Sequence, residues 1–443
     1  MNSYRNTNSS LLPTDFKNGQ HSDDANIDRT GHDRPRAKVL IRSSWQSVNI
    51  GDIGHTPGLL RLLEEHIPQA QLILWANSLD YGVEEMLRRD FPEVIIFQDP
   101  KDEHGIPRSA EGRKLWAEAD FLVHGSGPYV VSRDVLVAWS KTERPFGVYG
   151  VTIEAFDDKL VELLSGADFV FCRDTVSLRA AFAAGVRCEY LEFAPDAAFA
   201  AVDRDDVSAE RFLIENQLED GDFICVISRL RYTPYFKIQN RRATSREQRL
   251  ARISDAHKHG DHERLREVII QWIRKTGKKV LVCPEMTYEI ELTKEQLVDA
   301  LPEDVRRNVV WRSTYWRPDE ASSVYSRAVA LVSMEMHSPI LACAVGTPAF
   351  YIRLPSDTCK GQMWRDIGLP EWIFEIDDSD GDDIAKALLR FLAEPERTME
   401  KLTHARDRIA YLQVHSMRIV RDAIDRLATR KAAVPIKELR TSR

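Results

Sequence analysis

The sequence predicts an α/β protein built from parallel sheets covered by helices on both faces. Three observations carry that expectation. Short apolar runs of strand length alternate with helical segments along most of the chain. The alternation starts afresh after the polar, acid-rich stretch 203–222. And residues 328–352 read as one complete unit of strand, turn, helix and strand.

That unit shows the logic most clearly. Residues 328–333 and 349–352 are apolar strands. Between them Ser338 suits an N-cap and Pro339 the first helical position. Gly346 suits the left-handed residue that ends a helix, and Pro348 blocks continuation. Glu335 and His337 fall in the turn at the carboxyl end of the first strand, where open parallel sheets bind ligands. The free N–H groups and dipole at the helix start favour an anion there and oppose a proton on His337. An acid and an imidazole in one turn can share a proton. A histidine in such a turn also commonly serves only as a local hydrogen-bonding residue.

Composition bounds the rest. A chain of 443 residues with 43% hydrophobic and 29% charged residues is an ordinary soluble globular protein of two or three domains. A net charge of −8 offers no bulk basic field, so no nucleic-acid partner is expected. Cys172, Cys188, Cys225, Cys283, Cys343 and Cys359 are scattered without a C-x-x-C pair, as expected of reduced thiols in a cytoplasmic protein. No apolar stretch is long enough for a transmembrane segment, and the N-terminus lacks the apolar core of a signal peptide.

In chain order, residues 1–35 are too polar to order themselves and are expected to be a disordered tail. The strand 37–41 leads into a loop carrying Asn49, Gly51 and Asp52, and Thr56-Pro57 is expected to open the first helix. Gly51 would let backbone approach a ligand, or simply make a tight turn. The loop is neither G-x-G-x-x-G nor a P-loop, so neither dinucleotide nor ATP binding follows. Strands are expected at 71–75, 94–97, 120–123, 146–151, 169–172 and 190–193, with helices near 83–90 and 111–118 and a third that follows residues 173–177 and runs to Gly185. The fourth strand ends in the small-residue turn Gly125-Ser126-Gly127. Arg173-Asp174 reads either as a structural ion pair or as a substrate contact. The second block has strands at 223–228, 279–283 and 309–311 and helices at 265–275, 319–326 and 384–394. The arginine-rich stretch 240–263 is expected to be an exposed helical insert, a solvated face or a binding flap. Its His257, His259 and His262 lack a fixed second ligand group, so no metal is expected there. Trp45, Trp311, Trp316 and Trp364 could stack on sugars or pack in cores. No G-x-S-x-G elbow supports a hydrolase.

Taken together, these turns resemble the polysaccharide pyruvyl transferase family. The matching features are Asn49-x-Gly51-Asp52, the glycine turn 125–127, Arg173-Asp174-x-x-Ser177, Pro195-Asp196 and a strand ending in Arg229. His337-x-x-Ile340-x-Ala342, Gly346-x-Pro348 and Lys360 follow in the family's order, over about 37–395. The resemblance implies two Rossmann-like domains around a central cleft, as in GT-B glycosyltransferases. The domains would be 36–202 and 203–395, with a C-terminal helix in 396–443 packing back toward the first. It implies transfer of the enolpyruvyl group of phosphoenolpyruvate to two hydroxyls of a sugar or lipid-linked saccharide of a cell-surface or exopolysaccharide precursor, forming a ketal without metal or cofactor. His337 would be the acid–base residue, with Glu335 beside it. Asn49, Gly51, Asp52, Gly125, Ser126, Arg173, Ser177, Arg229, Arg231 and Lys360 would bind substrate, and a homo-oligomer is compatible with the family. Two positions depart from its pattern. Ser126 stands where a third glycine is usual, and Glu335 where the family commonly has arginine. The second departure turns an attraction for a phosphate or carboxylate into a repulsion, with Arg231, Arg312, Arg353 and Lys360 as candidate compensating cations. It keeps open a nucleotide-sugar or other anionic donor, with Glu335 as base, and a non-catalytic glycan-binding relative.

Overall fold

Two all-parallel sheets form the framework of a computed structural model that describes residues 36–43 and 46–433, with side chains to residue 427. The tail expected at 1–35, Trp45 and residues 434–443 lie outside the described residues. The first sheet comprises β1 (Lys38–Arg42), β2 (Gln71–Ala76), β3 (Ile95–Gln98), β4 (Phe121–His124), β5 (Phe146–Val151), β6 (Phe169–Cys172) and β7 (Tyr190–Phe193), in the order β3-β2-β1-β4-β5-β6-β7. The second comprises β8 (Phe223–Ile227), β9 (Lys279–Val282), β10 (Val309–Trp311), β11 (Ala330–Ser333), β12 (Ala349–Arg353) and β13 (Ile373–Glu375), in the order β10-β9-β8-β11-β12-β13.

The strands are apolar runs because helices cover both faces. Along β1, Val39 and Ile41 enter one core cluster and Leu40 the other, following the strand's two-residue period. In each sheet the order reverses once, between β1 and β4 and between β8 and β11. Such switch points leave a crevice at the carboxyl ends of the strands. Arg42 pairs in register with His124 at the first, and Ser333 with Ile227 at the second.

Several elements differ from the sequence expectation. The first helix spans Ile50–His66, so it begins at Asn49 and not at Thr56. The Asn49 side chain accepts from the N–H groups of Gly51 and Asp52, and this cap outweighs the signal of Pro57, which lies inside the helix. Helices Arg133–Ser140 and Asp158–Ser165 and the edge strand β13 lie where no element was expected. The acid-rich stretch after 203 contains a helix, Asp206–Glu215, capped by the Asp205 carboxylate. Residues 245–263 of the arginine-rich stretch are the first part of one helix, Ser245–Thr276, which opens with a Thr244/Glu247 capping box. Many of its residues are exposed, but Ser254, Asp261 and His262 are buried.

The last helix, Pro395–Ala433, serves both halves. Leu402, Ala405 and Ile409 pack in the second sheet's core, whereas Met417, Val420, Ala423 and Ile424 pack in the first sheet's. Tyr149 of β5 hydrogen-bonds Ser416 of this helix at 3.0 Å.

The first helix also lies against the short turn Ala197–Ala200, and Gly58 makes the approach possible. A Cβ at Gly58 would stand 2.0 Å from the Ala197 carbonyl oxygen. Gly58→Ala is therefore expected to lower the melting temperature by about 2–4 °C or more, since backbone must move to admit the methyl group. Differential scanning calorimetry checks this, and an unchanged melting temperature would contradict the packing described.

Candidate active site

Both switch points open into one cleft of about 640 Å³. From the first half it is lined by Arg42 at the end of β1, Ser126 and Gly127 after β4, Arg173 after β6, and Asn49, Asp52 and His55 at the start of the first helix. From the second half come Arg229 after β8, Met286 after β9, Glu335 and His337 after β11, and Lys360 on the turn Cys359–Gly361.

His337 is the first residue of the helix His337–Ala344. Ser338, expected as its cap, sits inside the first turn; the cap is supplied from elsewhere. One oxygen of the Glu285 carboxylate accepts from the Ser338 N–H and hydroxyl, both at 2.7 Å. The other oxygen lies 3.3 Å from His337 Nδ1. A carboxylate on Nδ1 fixes the proton there and leaves Nε2 a lone pair. That Nε2 is buried without a hydrogen-bond partner. Burial, then the nearby His55 and Lys360, hold the ring well below the usual imidazole pKa, so it is neutral at pH 7.

A second pair of the same kind faces the first. His55 Nδ1 lies 2.7 Å from Asp196 Oδ1. Asp196 Oδ2 accepts from Arg173 at 2.6 Å, and Arg173 also donates to Thr152 at 2.9 Å. Burial pushes the Asp196 carboxyl up, but His55 and Arg173 more than offset it and hold the pKa well below the carboxylate range. The two imidazoles stand edge to face, 4.7 Å between centroids and 86° between planes. Gly51 makes room for this, since a Cβ there would fall 2.3 Å from the His337 Cβ. Its part is space beside the imidazole.

Asp52 is partly buried and lies 3.3 Å from the Gln46 amide. Burial raises its pKa against the pull of His337 and His55. Asp52, His55 and His337 each present a ligand atom within 4.8 Å of the others, and they form the group among the described residues that could hold a metal ion. Glu335 is buried beside Arg229 at 3.2 Å, and the same guanidinium nitrogen donates to Asp357 at 3.0 Å. Burial raises Glu335 to about 7 despite Arg229.

Of the predicted site residues, Asn49, Asp52, Ser126, Arg173, Arg229, Glu335, His337 and Lys360 meet in this cleft. Gly125 packs its turn against Ser43. Ser177 donates to Asp174 at 2.8 Å and accepts from the Ile153 N–H at 2.9 Å, behind the cleft wall. Arg231 is locked between Asp261 and Asp377. Arg312 pairs with Glu320 and Arg353 with Glu375, so neither compensates for Glu335. Lys360 lines the cleft with no ion pair among the described residues. Trp311 and Trp316 donate to the carbonyls of Ile290 and Pro284, and Trp364 packs on Phe199; none lines the cleft. In the arginine-rich helix His257 and His259 are exposed, and His262 is buried against Ser228.

His55, Glu285 and Arg42 were missed by sequence reasoning. With Asn49 taken as the cap, Asp52 and His55 fall three apart on one helical face. Glu285 lies just past a predicted strand end. Arg42 is buried over Trp75, donates to the Trp75 carbonyl at 3.0 Å and lines the cleft, while its Nε is buried without a hydrogen-bond partner. Burial lowers it to about 10.

A family model described as polysaccharide pyruvyl transferase matches residues 49–355. None of the curated proteins compared matches the sequence. Among solved structures, a UDP-N-acetylglucosamine 2-epimerase superposes with a TM-score of 0.56 at 11% identity, over 89% of this chain and 97% of that one. The Staphylococcus aureus MnaA–UDP structure gives 0.54 at 10% identity, over 84% and 91%. Anabaena Alr3699/HepE in complex with UDP-glucose gives 0.51 at 11% identity, over 90% and 100%. Identities this low show shared architecture alone, and it is the GT-B-type arrangement of two parallel-sheet halves.

Arg173 and Asp196 are 1% and 0% exposed, so removing the guanidinium leaves a buried carboxylate with His55 as its remaining side-chain partner. Arg173→Met is expected to destabilise the protein by about 3 kcal/mol at pH 7. Because Asp196 titrates below its unfolded value of about 3.9, the contribution is present above that pH and falls away with further acidification. Urea unfolding of both proteins at pH 7 and at lower pH checks this; an equal difference at every pH would refute the assignment.

Proposed function

The chain belongs to the polysaccharide pyruvyl transferase family, and from that premise we propose that it transfers the enolpyruvyl group of phosphoenolpyruvate onto two hydroxyls of a cell-surface saccharide precursor, free or lipid-linked, in the cytoplasm. The observation that carries this reading is the pairing, in one cleft, of a carboxylic acid that holds its proton near neutrality, Glu335, with an imidazole that does not, His337. Addition of an alcohol to an enol ether needs both.

In this reading Glu335 gives its proton to the methylene carbon of phosphoenolpyruvate, which becomes a methyl group. The acceptor's hydroxyl oxygen bonds to the central carbon and loses its proton toward the imidazole pair. The carbon–oxygen bond to phosphate then breaks, and phosphate leaves with the electron pair. A second hydroxyl of the same sugar adds and loses its proton, closing the ketal. The sum is diol plus phosphoenolpyruvate to ketal plus inorganic phosphate. In this reading Lys360 and Arg42, which line the cleft without an ion pair among the described residues, hold carboxylate and phosphate oxygens. A protonated Glu335 is neutral, so it does not repel the donor as a carboxylate would.

One observation favours a second reading. Arg229 is shared between Glu335 and Asp357, so the cation nearest the replaced arginine is already neutralised. Transfer from a nucleotide-sugar or another anionic donor, with Glu335 as base, accommodates that.

Incubation with phosphoenolpyruvate and a panel of sugar acceptors should release inorganic phosphate. Glu335→Gln keeps a hydrogen-bonding group for Arg229 but has no proton to give. It is expected to lower turnover by about 100-fold or more while leaving the thermal shift caused by phosphoenolpyruvate intact. Absence of phosphate release across the panel, with stabilisation by nucleotide sugars instead, would move the assignment to the second reading.

A further inference from the structure

We infer that Asp52, His55 and His337 form a binding site for a divalent transition-metal ion with zinc-like preferences, open on the cleft side to an oxygen ligand. The inference deepens the pyruvyl-transfer reading, for which it supplies the means of activating the acceptor hydroxyl. Its test needs no turnover.

Four features converge on it. The three side chains bring one nitrogen or oxygen each within 4.8 Å of the others. A tetrahedral ion with bonds of about 2.1 Å needs its ligands about 3.4 Å apart, a contraction that side-chain rotation supplies. Both histidines are held as metal-binding histidines are held, with Nδ1 on a carboxylate: Asp196 for His55 and Glu285 for His337. The nitrogen left over is Nε2 in each ring. In His337, which is 6% exposed, that nitrogen is buried and bonded to nothing. The edge-to-face rings share no hydrogen bond of their own among the described residues, so neither ring satisfies the other. A buried polar atom without a partner calls for a missing ligand.

The fourth feature is charge. Asp52, Asp196, Glu285, Glu289, Glu335 and Asp357 act on one another and on His337 and Arg229 around this point. Arg173, Arg229 and Lys360 are the cations that oppose them there. A divalent ion held by Asp52, His55 and His337 would be balanced by these carboxylates and would add positive charge at the place where an anionic donor has to dock. Two imidazoles and one carboxylate suit zinc, iron(II) or manganese; magnesium and calcium prefer all-oxygen sites. The ion would keep an open position toward the cleft, as catalytic sites do. A hydroxyl bound there is more acidic than a free one.

The experiment takes the full-length chain, stripped with a chelator, and titrates it with Zn²⁺ by calorimetry and with Mn²⁺ by electron paramagnetic resonance, without substrates. About one Zn²⁺ per chain is expected, with a rise in melting temperature. Asp52→Asn and His55→Gln, each checked for native circular dichroism, are expected to weaken Zn²⁺ binding at least tenfold. Asp196→Asn should weaken it about tenfold by releasing the His55 ring. His259→Ala, on the exposed face of the arginine-rich helix, should leave it unchanged. Absence of saturable binding in the wild-type protein overturns the inference, as does binding that survives both Asp52→Asn and His55→Gln. In either case phosphate release that persists in chelator would leave the transferase reading intact, with the imidazoles taking the hydroxyl proton directly. Metal binding without phosphate release would retain the site and refute the reaction instead.

Discussion

The segment Glu285–Thr287 ties the two halves of the site together. Its backbone reaches the first half, with the Glu285 carbonyl accepting from the Ile50 N–H at 3.0 Å and the Thr287 N–H donating to the Val48 carbonyl at 3.1 Å. Its side chain reaches the other way, capping the helix at Ser338 and holding the His337 ring. Glu289 in turn accepts from the N–H groups of Glu285 and Met286, so the segment's own backbone donors are satisfied. One short turn therefore sets where the first helix begins, where the second begins, and how the imidazole between them is oriented. The Gly51 position follows from this, because the two helix starts can meet at His337 only if no side chain intervenes.

This construction also explains the density of acids. A helix start and a fixed histidine both want a carboxylate, and Glu285 serves both at once. Asp196 does the same for the short turn beginning at Ala197 and for His55. Each of these carboxylates is structural in its bonds, and both stand behind the residues that line the cleft. A site built this way handles an anion only through the cations left unpaired, a proton on Glu335, or an added ion.

The parallel-sheet architecture was legible because fully buried strands are apolar throughout and their turns carry glycine, proline and capping residues. The unit 328–352 was read with its strands, its glycine terminator and its turn residues in place, and Gly346 adopts the left-handed φ of +92°. What stayed illegible had one physical cause: groups that act across long separations in sequence. Ser338 carries every local sign of a cap, but Glu285, 53 residues away, occupies that role. The first helix starts at Asn49 and not at Thr56-Pro57, and there the side-chain cap of Asn49 is joined by the bond from Ile50 to the distant Glu285. Arg231 resembles a site arginine by its place after a strand, and only the burial of Asp261 on a distant helix shows that it is already paired. His55 was passed over because its partner Asp196 lies 141 residues on.

The replacement of arginine by Glu335 is the point where chemistry and fold meet. An arginine there would have to be buried beside Arg229, two like charges in a site with little water, and it would leave Asp357 as the sole carboxylate contact of Arg229. With glutamate, Arg229 is braced on both sides, and burial keeps the acid's proton until about pH 7. The exchange therefore trades a permanent positive charge for an ionisable proton at the same spot. Loss of the charge must be met elsewhere in the cleft, and Lys360, free of any ion pair among the described residues, is the group positioned to do so. A carboxylic acid at this depth has a use that an arginine lacks, because it can deliver its proton to carbon. In the proposed reaction that difference makes the substitution a change in how the site works, and not simply a loss of affinity for the donor.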